Sequence, residues 1–557
     1  MTADILLDAV PGWSRAVQND VYVWWSGYGS FEGNSIKVAS DALAMAHRIE
    51  RADHDAERDS LLSGIDGHFS LAIRSAKGVF LAADRVASIP LLVGKNGFRI
   101  AVSSNIHALR RHFGIAAHDA VGVLQFAMAG YTLDERTIYQ DTQMLRPGEW
   151  RHFSATGVLR EGRWYRYQPW RIDAEADQAE WRRRLLARND VVFEKLVRSL
   201  DGRQVMLPLS GGFDSRLVAS GLHRHGYRAV TCFSYGHAAN FEAAAAQKVA
   251  AKLGYPWHFV AHDARLIRKT LASGSFQAYV EATETGAALP FFQDFAAIAS
   301  LRERGLVPDG AIFINGNTGD FISGNHVPSE IYDAPPLASW EERLDRLVTA
   351  FSAKHFSLWR DLRSPANLAT IAGELARLIS RDMPAQLSQG LDYAIWEALE
   401  FGARQSHFVI NGQRIYEHFG HSWRLPMWDR DYLDFWQSVP PSQKREQKLY
   451  RDTLMAANWG GVWQSIPLNP QRRWHLPPVA STLRLLTKAL FAPLPRRAWK
   501  EFDRRVFSYW TNVLGTHAVR PYRDLLFDRH GARAANSFRT LDLLSAHGVA
   551  VDSLWAA

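Results

Sequence analysis

The chain has 557 residues, more than one hydrophobic core usually organises, so two or three domains are expected. Its 47% apolar and 22% charged residues exclude a disordered chain, and no run of about 18 apolar residues is available to span a membrane. The net charge of +8 suits anionic partners, yet the basic residues lie among acids with no aromatic-interleaved basic tract, so nucleic acid is not an expected partner.

The opening stretch lacks a basic segment followed by a long apolar one, so no signal peptide is expected and a cytoplasmic enzyme is the default. Residues 21–25, 68–73 and 78–83 are rich in β-branched and aromatic side chains and are bounded by turn residues such as Ser26-Gly27 and Asp66-Gly67. Helical patterns are confined to about 40–57 and 118–130, so residues 1–165 read as an α+β, sheet-rich domain. From 178 the pattern changes. A long amphipathic helix over about 178–200 leads to an apolar strand at 204–209 and a glycine loop. A helix near 215–225, a strand at 229–234, a helix at 240–253 and a strand at 257–260 follow. This alternation predicts βαβ units and a parallel sheet, an α/β domain over 178–475. A further strand at 311–314 ends in a second loop rich in glycine and asparagine. Residues 330–557 read as mainly helical, with 476–557 a helical C-terminal extension. Within it, the stretch 480–510, with Leu483, Leu485, Leu486 and Leu490 beside Arg484, Lys488, Arg496 and Arg497, is amphipathic and basic; core packing with a solvated face is the expectation, and membrane docking the alternative. The single cysteine, Cys232, lies in the apolar run 229–233 and reads as a buried, inert strand residue; alone, it excludes a disulfide framework and a cysteine-based metal site.

The loop Ser210-Gly211-Gly212-Phe213-Asp214-Ser215 carries the chemistry because it follows an apolar strand and opens a helix. Gly211 and Gly212 lack Cβ, so the backbone can approach a ligand closely, and the free N–H groups at a helix start form an anion cradle. Ser210 and Ser215 add neutral donors. Asp214 would be repelled by bare phosphate, so a Mg²⁺ ion shared between this carboxylate and phosphate oxygens is expected. A Walker-type loop is excluded, because no G-x-x-x-x-G-K-[ST] occurs.

The segment resembles the pyrophosphate loop of the N-type ATP pyrophosphatases, whose adenine nucleotide alpha-hydrolase-like fold cleaves ATP to AMP and pyrophosphate while activating an oxygen as an adenylate. Other segments are similar to asparagine synthetase. In the first domain these are Asp66-Gly67-His68-Phe69-Ser70, Leu81-Ala82-Ala83-Asp84-Arg85, Ile89-Pro90-Leu91, Arg136-Thr137-Ile138-Tyr139 and Leu145-Arg146-Pro147-Gly148, which look like the family's class II glutamine amidotransferase domain. In the second, Phe233-Ser234-Tyr235-Gly236 matches the strand end that holds adenine, with Phe233 and Gly236 as binding positions. Asn315-Gly316-Asn317-Thr318-Gly319-Asp320 looks like the second glycine-rich loop, with Gly316 toward ATP and Asp320 a second Mg²⁺ ligand. Residues 420–429 resemble the family's Arg-x-Pro-x-x-Asp stretch, and Lys448-Leu449-Tyr450-Arg451 a later helix start.

The departures from the family are equally informative. Its glutamine-using members carry cysteine directly after the initiator methionine; here that position is Thr2, and the stretch before Asp66 is several tens of residues short. An unactivated threonine hydroxyl does not attack an amide as a thiolate does, so this amidotransferase-like domain is expected to be degenerate and Asp66 a turn residue. Asn317 stands where the family carries Glu or Tyr, and Ser422 replaces an acid. The lysine expected near the α-phosphate has no clean match, and Arg472 and Arg473 are its substitutes, with a solvated basic loop as the alternative. Arg216 is open to two readings: contact with an anionic sugar, or pairing with an acid on a helix face.

The resemblance implies an ATP- and Mg²⁺-dependent ligase that activates a carboxylate, a uronic acid sugar or aspartate being acceptor classes, for attack by ammonia or an amine. Free ammonia or a separate glutaminase would supply the nitrogen. Asp214, Asp320, Arg472 and Arg473 are the expected catalytic positions, and Ser210, Gly211, Gly212, Asp214 and Ser215 the expected pyrophosphate cradle. A peptide or small-molecule cyclase of the lasso-peptide or β-lactam kind is the alternative enzyme, disfavoured by Asn317 and Ser422. A non-catalytic scaffold is the alternative class, disfavoured by the intact loop.

Overall fold

A computed structural model describes residues 2–173, 176–238, 240–333, 335–384, 387–468, 478–512 and 514–555. The N-terminal part is built on two sheets. Seven antiparallel strands run in the order Leu159–Arg163, Glu149–Ser154, Gly78–Ala83, Asp66–Ser75, Val21–Phe31 and Trp13–Gln18, with Asn34–Ile36 paired to Val21–Phe31. Four further strands, Thr2–Ile5, Arg99–Ser103, Leu92–Asn96 and Thr142–Met144, form the second sheet. The period of two along Asp66–Ser75 explains the layering. Phe69, Leu71 and Ile73 pack with Met45, Ile49, Leu61 and Leu62 of the helices Leu43–Arg51 and Asp55–Ser63. Ala72 packs with Leu81, Val93 and Val102 between the two sheets. Both faces of this strand are therefore covered, and its sequence is almost continuously apolar.

The second part centres on five parallel strands in the order Trp257–Ala261, Val230–Gly236, Val205–Pro208, Ile312–Ile314 and Ser422–Arg424. Successive strands move outward in one direction from Val205–Pro208 and then return to its other side with Ile312–Ile314. The strand order thus reverses between these two neighbours, and both glycine loops leave their carboxyl ends. A crevice at that switch point is where open parallel sheets bind ligands. The helix Gln178–Leu200, capped by Asp177, buries Trp181, Leu185, Val192, Phe193 and Leu196 against this sheet's core. Gly221 is required beside it, since a Cβ there would lie 2.4 Å from the Phe193 ring. Cys232 is fully buried and its thiol is pushed up by that burial, which fits an inert strand residue.

Among the connections that join the parts are an ion cluster, a cation–ring contact and a histidine–glutamate bond. Lys195 reaches Asp66 at 2.7 Å, Asp429 at 2.8 Å and Asp431 at 2.9 Å. Asp66, expected as a turn residue, therefore opens a strand and forms part of an ion cluster. Asp429, of the Arg-x-Pro-x-x-Asp stretch, is held in the same cluster. The Arg424 guanidinium lies 3.9 Å from the Tyr28 ring centroid. Near the C-terminus, His547 bonds Glu284, which also meets His107 at 2.8 Å. Arg110 and Tyr139 donate to His547 Nδ1, so Nε2 carries the proton and faces Glu284 as a donor. This trio is a hydrogen-bonded staple, since a metal ion would need that nitrogen's lone pair.

After Pro478 every described element is helical, including Pro478–Leu490, Arg496–Thr511 and Ala535–Ala546. Ala535–Ala546 packs Leu543 and Leu544 into the core that contains Phe126 of Ala120–Ala129. The leucine face of Pro478–Leu490 corrects the sequence expectation: Leu483, Leu485, Leu486 and Leu490 are exposed, at 51%, 69%, 60% and 74%. The inner face is instead held by Arg484, which bonds Asp503 of the next helix. No helix among the described residues is long and apolar enough to cross a membrane.

Candidate functional site

The loop at 210–215 closes on itself before any ligand is considered. Ser210 N donates to Ser215 Oγ at 3.0 Å, and Gly212 N donates to Ser210 Oγ at 3.2 Å. Gly212 then caps the helix Phe213–Arg224 without a side-chain bond, leaving the first-turn amides facing the crevice. The second loop packs against the first, backbone to backbone. A Cβ on Gly316 would lie 2.9 Å from Ser215 N, and one on Gly319 2.5 Å from Asp214 Oδ1. Both positions need glycine for close approach. Between them Thr318 has φ of 149° and its hydroxyl donates to Gln405 at 2.8 Å, a strained residue held by a specific partner.

This packing brings the two acids together. Asp214 accepts from Tyr450 Oη at 3.0 Å and from the backbone N–H of Asp320 at 3.0 Å. Burial, with the charge of Asp320 beside it, pushes the Asp214 carboxyl far above its ordinary range. Burial would raise Asp320 as well, but His326 bonds it at 3.0 Å and holds it below the ordinary value. His326 also bonds the buried Glu400; burial opposes its charge, yet these two acids raise it to about 9. Two carboxylates crowded in one site, one of them driven toward its neutral form, are a donor set suited to a divalent cation. With phosphate oxygens completing the shell, Asp214 and Asp320 would hold Mg²⁺.

A cavity of about 780 Å³ opens over these loops. Ser210, Gly212, Asp214, Ser215, Phe233, Gly316 and Asp320 line it, so most of the expected positions share one wall. Gly211 lies behind the loop, its Cβ position 3.3 Å from Glu242 Cα. Gly236 is off the lining and is spent on strand pairing, its carbonyl accepting from His262 N at 2.7 Å. Ser234 and Tyr235 line the cavity instead. Arg472 and Arg473 lie outside the described residues. Lys448 points away to Asp452 at 3.0 Å. Among the described lining residues the guanidinium present is Arg404.

Arg216 meets neither expectation. It is fully buried and donates to four carbonyls: Gly211 at 3.0 Å, Val462 at 3.1 Å, Ile466 at 2.9 Å and Pro467 at 3.3 Å. It thus ties the glycine loop to the stretch that leads into 469–477. Sequence reasoning also missed His326, Glu400, Arg404, Asp294 and Tyr450 as members of the site or its support. Asp294 is buried and accepts from Tyr416 at 3.0 Å and from Tyr235. Only Tyr450 had a signal, its place inside the Lys448–Arg451 match. Residues 512, 514, 516–517 and 534–536 close the cavity from the C-terminal side.

Comparison with known proteins agrees with this layout. A glutamine amidotransferase domain model matches residues 30–165, and an asparagine synthase model matches residues 195–460. No curated protein matches the chain. Among solved structures, the glutamine phosphoribosylpyrophosphate amidotransferase of B. subtilis is 14% identical, with 56% of this chain and 59% of that one covered and a TM-score of 0.18. The NH3-dependent NAD synthetase of Campylobacter jejuni is 19% identical over 38% of this chain and 100% of its own, with a TM-score of 0.19. The chain therefore spans about 59% of the length of that amidotransferase. An amidotransferase domain followed by an asparagine synthase domain, in that order and over the two folded parts described above, gives this chain an asparagine synthetase-like two-domain architecture.

Proposed function

We propose that the protein is an ATP-dependent amide-forming ligase in which 178–475 activates an acceptor carboxylate and 476–557 helps enclose it, with 1–165 a degenerate amidotransferase domain. The observation that carries the reading is the meeting of two glycine loops at the sheet's switch point, which sets Asp214 beside Asp320 at the floor of a large cavity. An acceptor carboxylate oxygen attacks the α-phosphate of ATP; the bond to the β-phosphate oxygen breaks and pyrophosphate leaves. The loop N–H groups and the hydroxyls of Ser210 and Ser215 hold that leaving group. Ammonia or an amine then attacks the acyl carbon and AMP departs, giving an amide. Arg404 is the guanidinium among the described lining residues that could meet the reacting phosphate, His326 being engaged by Asp320 and Glu400, and Arg472 or Arg473 would join it from 469–477. Asp214→Ala is expected to abolish acceptor-dependent pyrophosphate release while the protein stays folded; release near the wild-type rate would refute the assignment.

The expected nitrogen source rests on residues 1–165 containing no cysteine and on the burial of Cys232 in the second part. Ammonium is expected to support product formation, and glutamine is expected to remain unhydrolysed. Glutamine turnover that a thiol alkylator stops would overturn this half of the reading.

A further inference from the structure

A second, smaller pocket of about 40 Å³ adjoins the main cavity and shares His517, Ala534 and Ala535 with it. Its wall carries four arginines, Arg360, Arg504, Arg505 and Arg533, against two acids, Glu501 and Asp528. Arg360 takes Glu501 at 3.1 Å. Asp528 is occupied by backbone N–H groups, from His530 at 3.1 Å and Ala532 at 2.6 Å. Arg505 donates to the carbonyl of Leu526 at 2.6 Å, and Arg533 to the carbonyl of Lys354 at 3.3 Å and to Ser357. Arg504 has neither a hydrogen bond nor a carboxylate within ion-pair distance among the described residues, although it is partly buried. Burial lowers its pKa most; the charges of Glu501 and Asp528 work against that, and the guanidiniums of Arg533 and Arg360 add to it.

Holding like charges together in a partly dry pocket costs free energy unless an anion completes it. Arg504, Arg505 and Arg533 have no carboxylate within ion-pair distance among the described residues, so Glu501 and Asp528 leave the pocket with an excess of positive charge. The planar forks of arginine match tetrahedral oxyanions. The pocket lies largely on 501–538, beyond the stretch that the asparagine synthase model matches, and it opens beside the main cavity. We infer that this arginine pocket binds a phosphate group of the acceptor, so that the enzyme's substrate is a phosphorylated carboxylate whose carboxyl end extends past His517 toward the glycine loops. The inference rests on the adenylating reading for what happens to that carboxyl end, but the binding step stands apart from it.

Isothermal titration of the full chain without nucleotide, using glucuronic acid 1-phosphate and glucuronic acid, separates the two. The phosphorylated sugar is expected to bind and the free sugar to bind at least about tenfold more weakly, the effect of losing a charge-assisted hydrogen bond. Arg504→Met should weaken the phosphorylated sugar by about tenfold, leave the Mg-ATP dissociation constant unchanged, and keep or raise the Tm because it relieves repulsion. Arg533→Gln gives the same discrimination should the first variant fail to fold. Equal binding of the two sugars, no binding of either, or a parallel loss of Mg-ATP affinity would each overturn the inference. Selective binding of the phosphorylated sugar without pyrophosphate release from any carboxylate would retain the pocket and refute the adenylating reading instead.

Discussion

Arg216 shows how far a residue's chemistry depends on where its helix turns. It follows Ser215 directly, so sequence alone places it next to a phosphate cradle and suggests an anion. One position along a helix rotates the side chain by about 100°, however, and that turn carries Arg216 to the back of the loop. There it donates to four backbone carbonyls, two of them through each terminal nitrogen. Its burial lowers the guanidinium to about 10, still charged near neutrality. Arg216→Met keeps the bulk and removes the donors, so it is expected to destabilise the protein by about 2–4 kcal/mol, each stranded carbonyl costing ~1 kcal/mol or more. Thermal unfolding checks this. A variant with unchanged stability but weakened acceptor binding would instead support the anionic-sugar contact.

At the scale of elements, what the sequence makes legible is what is local. The strand–loop–helix units around 205–224 and 230–253 carry their own signals: apolar runs, glycines and capping residues such as Asn240, which accepts from Ala243 N at 2.7 Å. The parallel sheet and both glycine loops follow from those signals. The partner set of Asp214 does not, because Tyr450 and Asp320 reach it from 236 and 106 residues away. The same reason hides the wall at 512–536: nothing in its sequence says that it folds back over a loop 300 residues earlier. The leucines of Pro478–Leu490 illustrate the opposite failure. Their helical period is clear and the helix forms, but periodicity reports only that a face is apolar and not that something covers it. Gly236 fails for a smaller reason, since a strand that runs two residues further than its pattern suggests consumes the backbone expected to meet adenine.

At the scale of the whole molecule, the two sheets meet through aromatic and charged side chains whose state depends on pH. His68 lies at this junction, bonded to Tyr28 at 2.9 Å and packed on Trp423, while His262 and His407 lie inside the second part. Burial lowers all three imidazoles from 6.5 to about 4. An unfolded chain takes up protons near 6.5, where the folded one still excludes them. Between these values the unfolded state binds more protons, so stability is lost as pH falls, by up to about 1.4 kcal/mol per pH unit for each group. His326 acts with the opposite sign. Its pKa is raised to about 9, so its contribution is full below 6.5 and disappears as pH rises through 9. The two effects leave a maximum near pH 6.5, with the steeper fall on the acid side, where three imidazoles act together. The Tm is therefore expected to fall between pH 7 and pH 5, and the fall should be smaller in His407→Gln, which cannot take up the proton. Scanning calorimetry at the two pH values decides it: an equal Tm at both, or the same drop in the variant, would mean that these buried imidazoles do not govern acid unfolding.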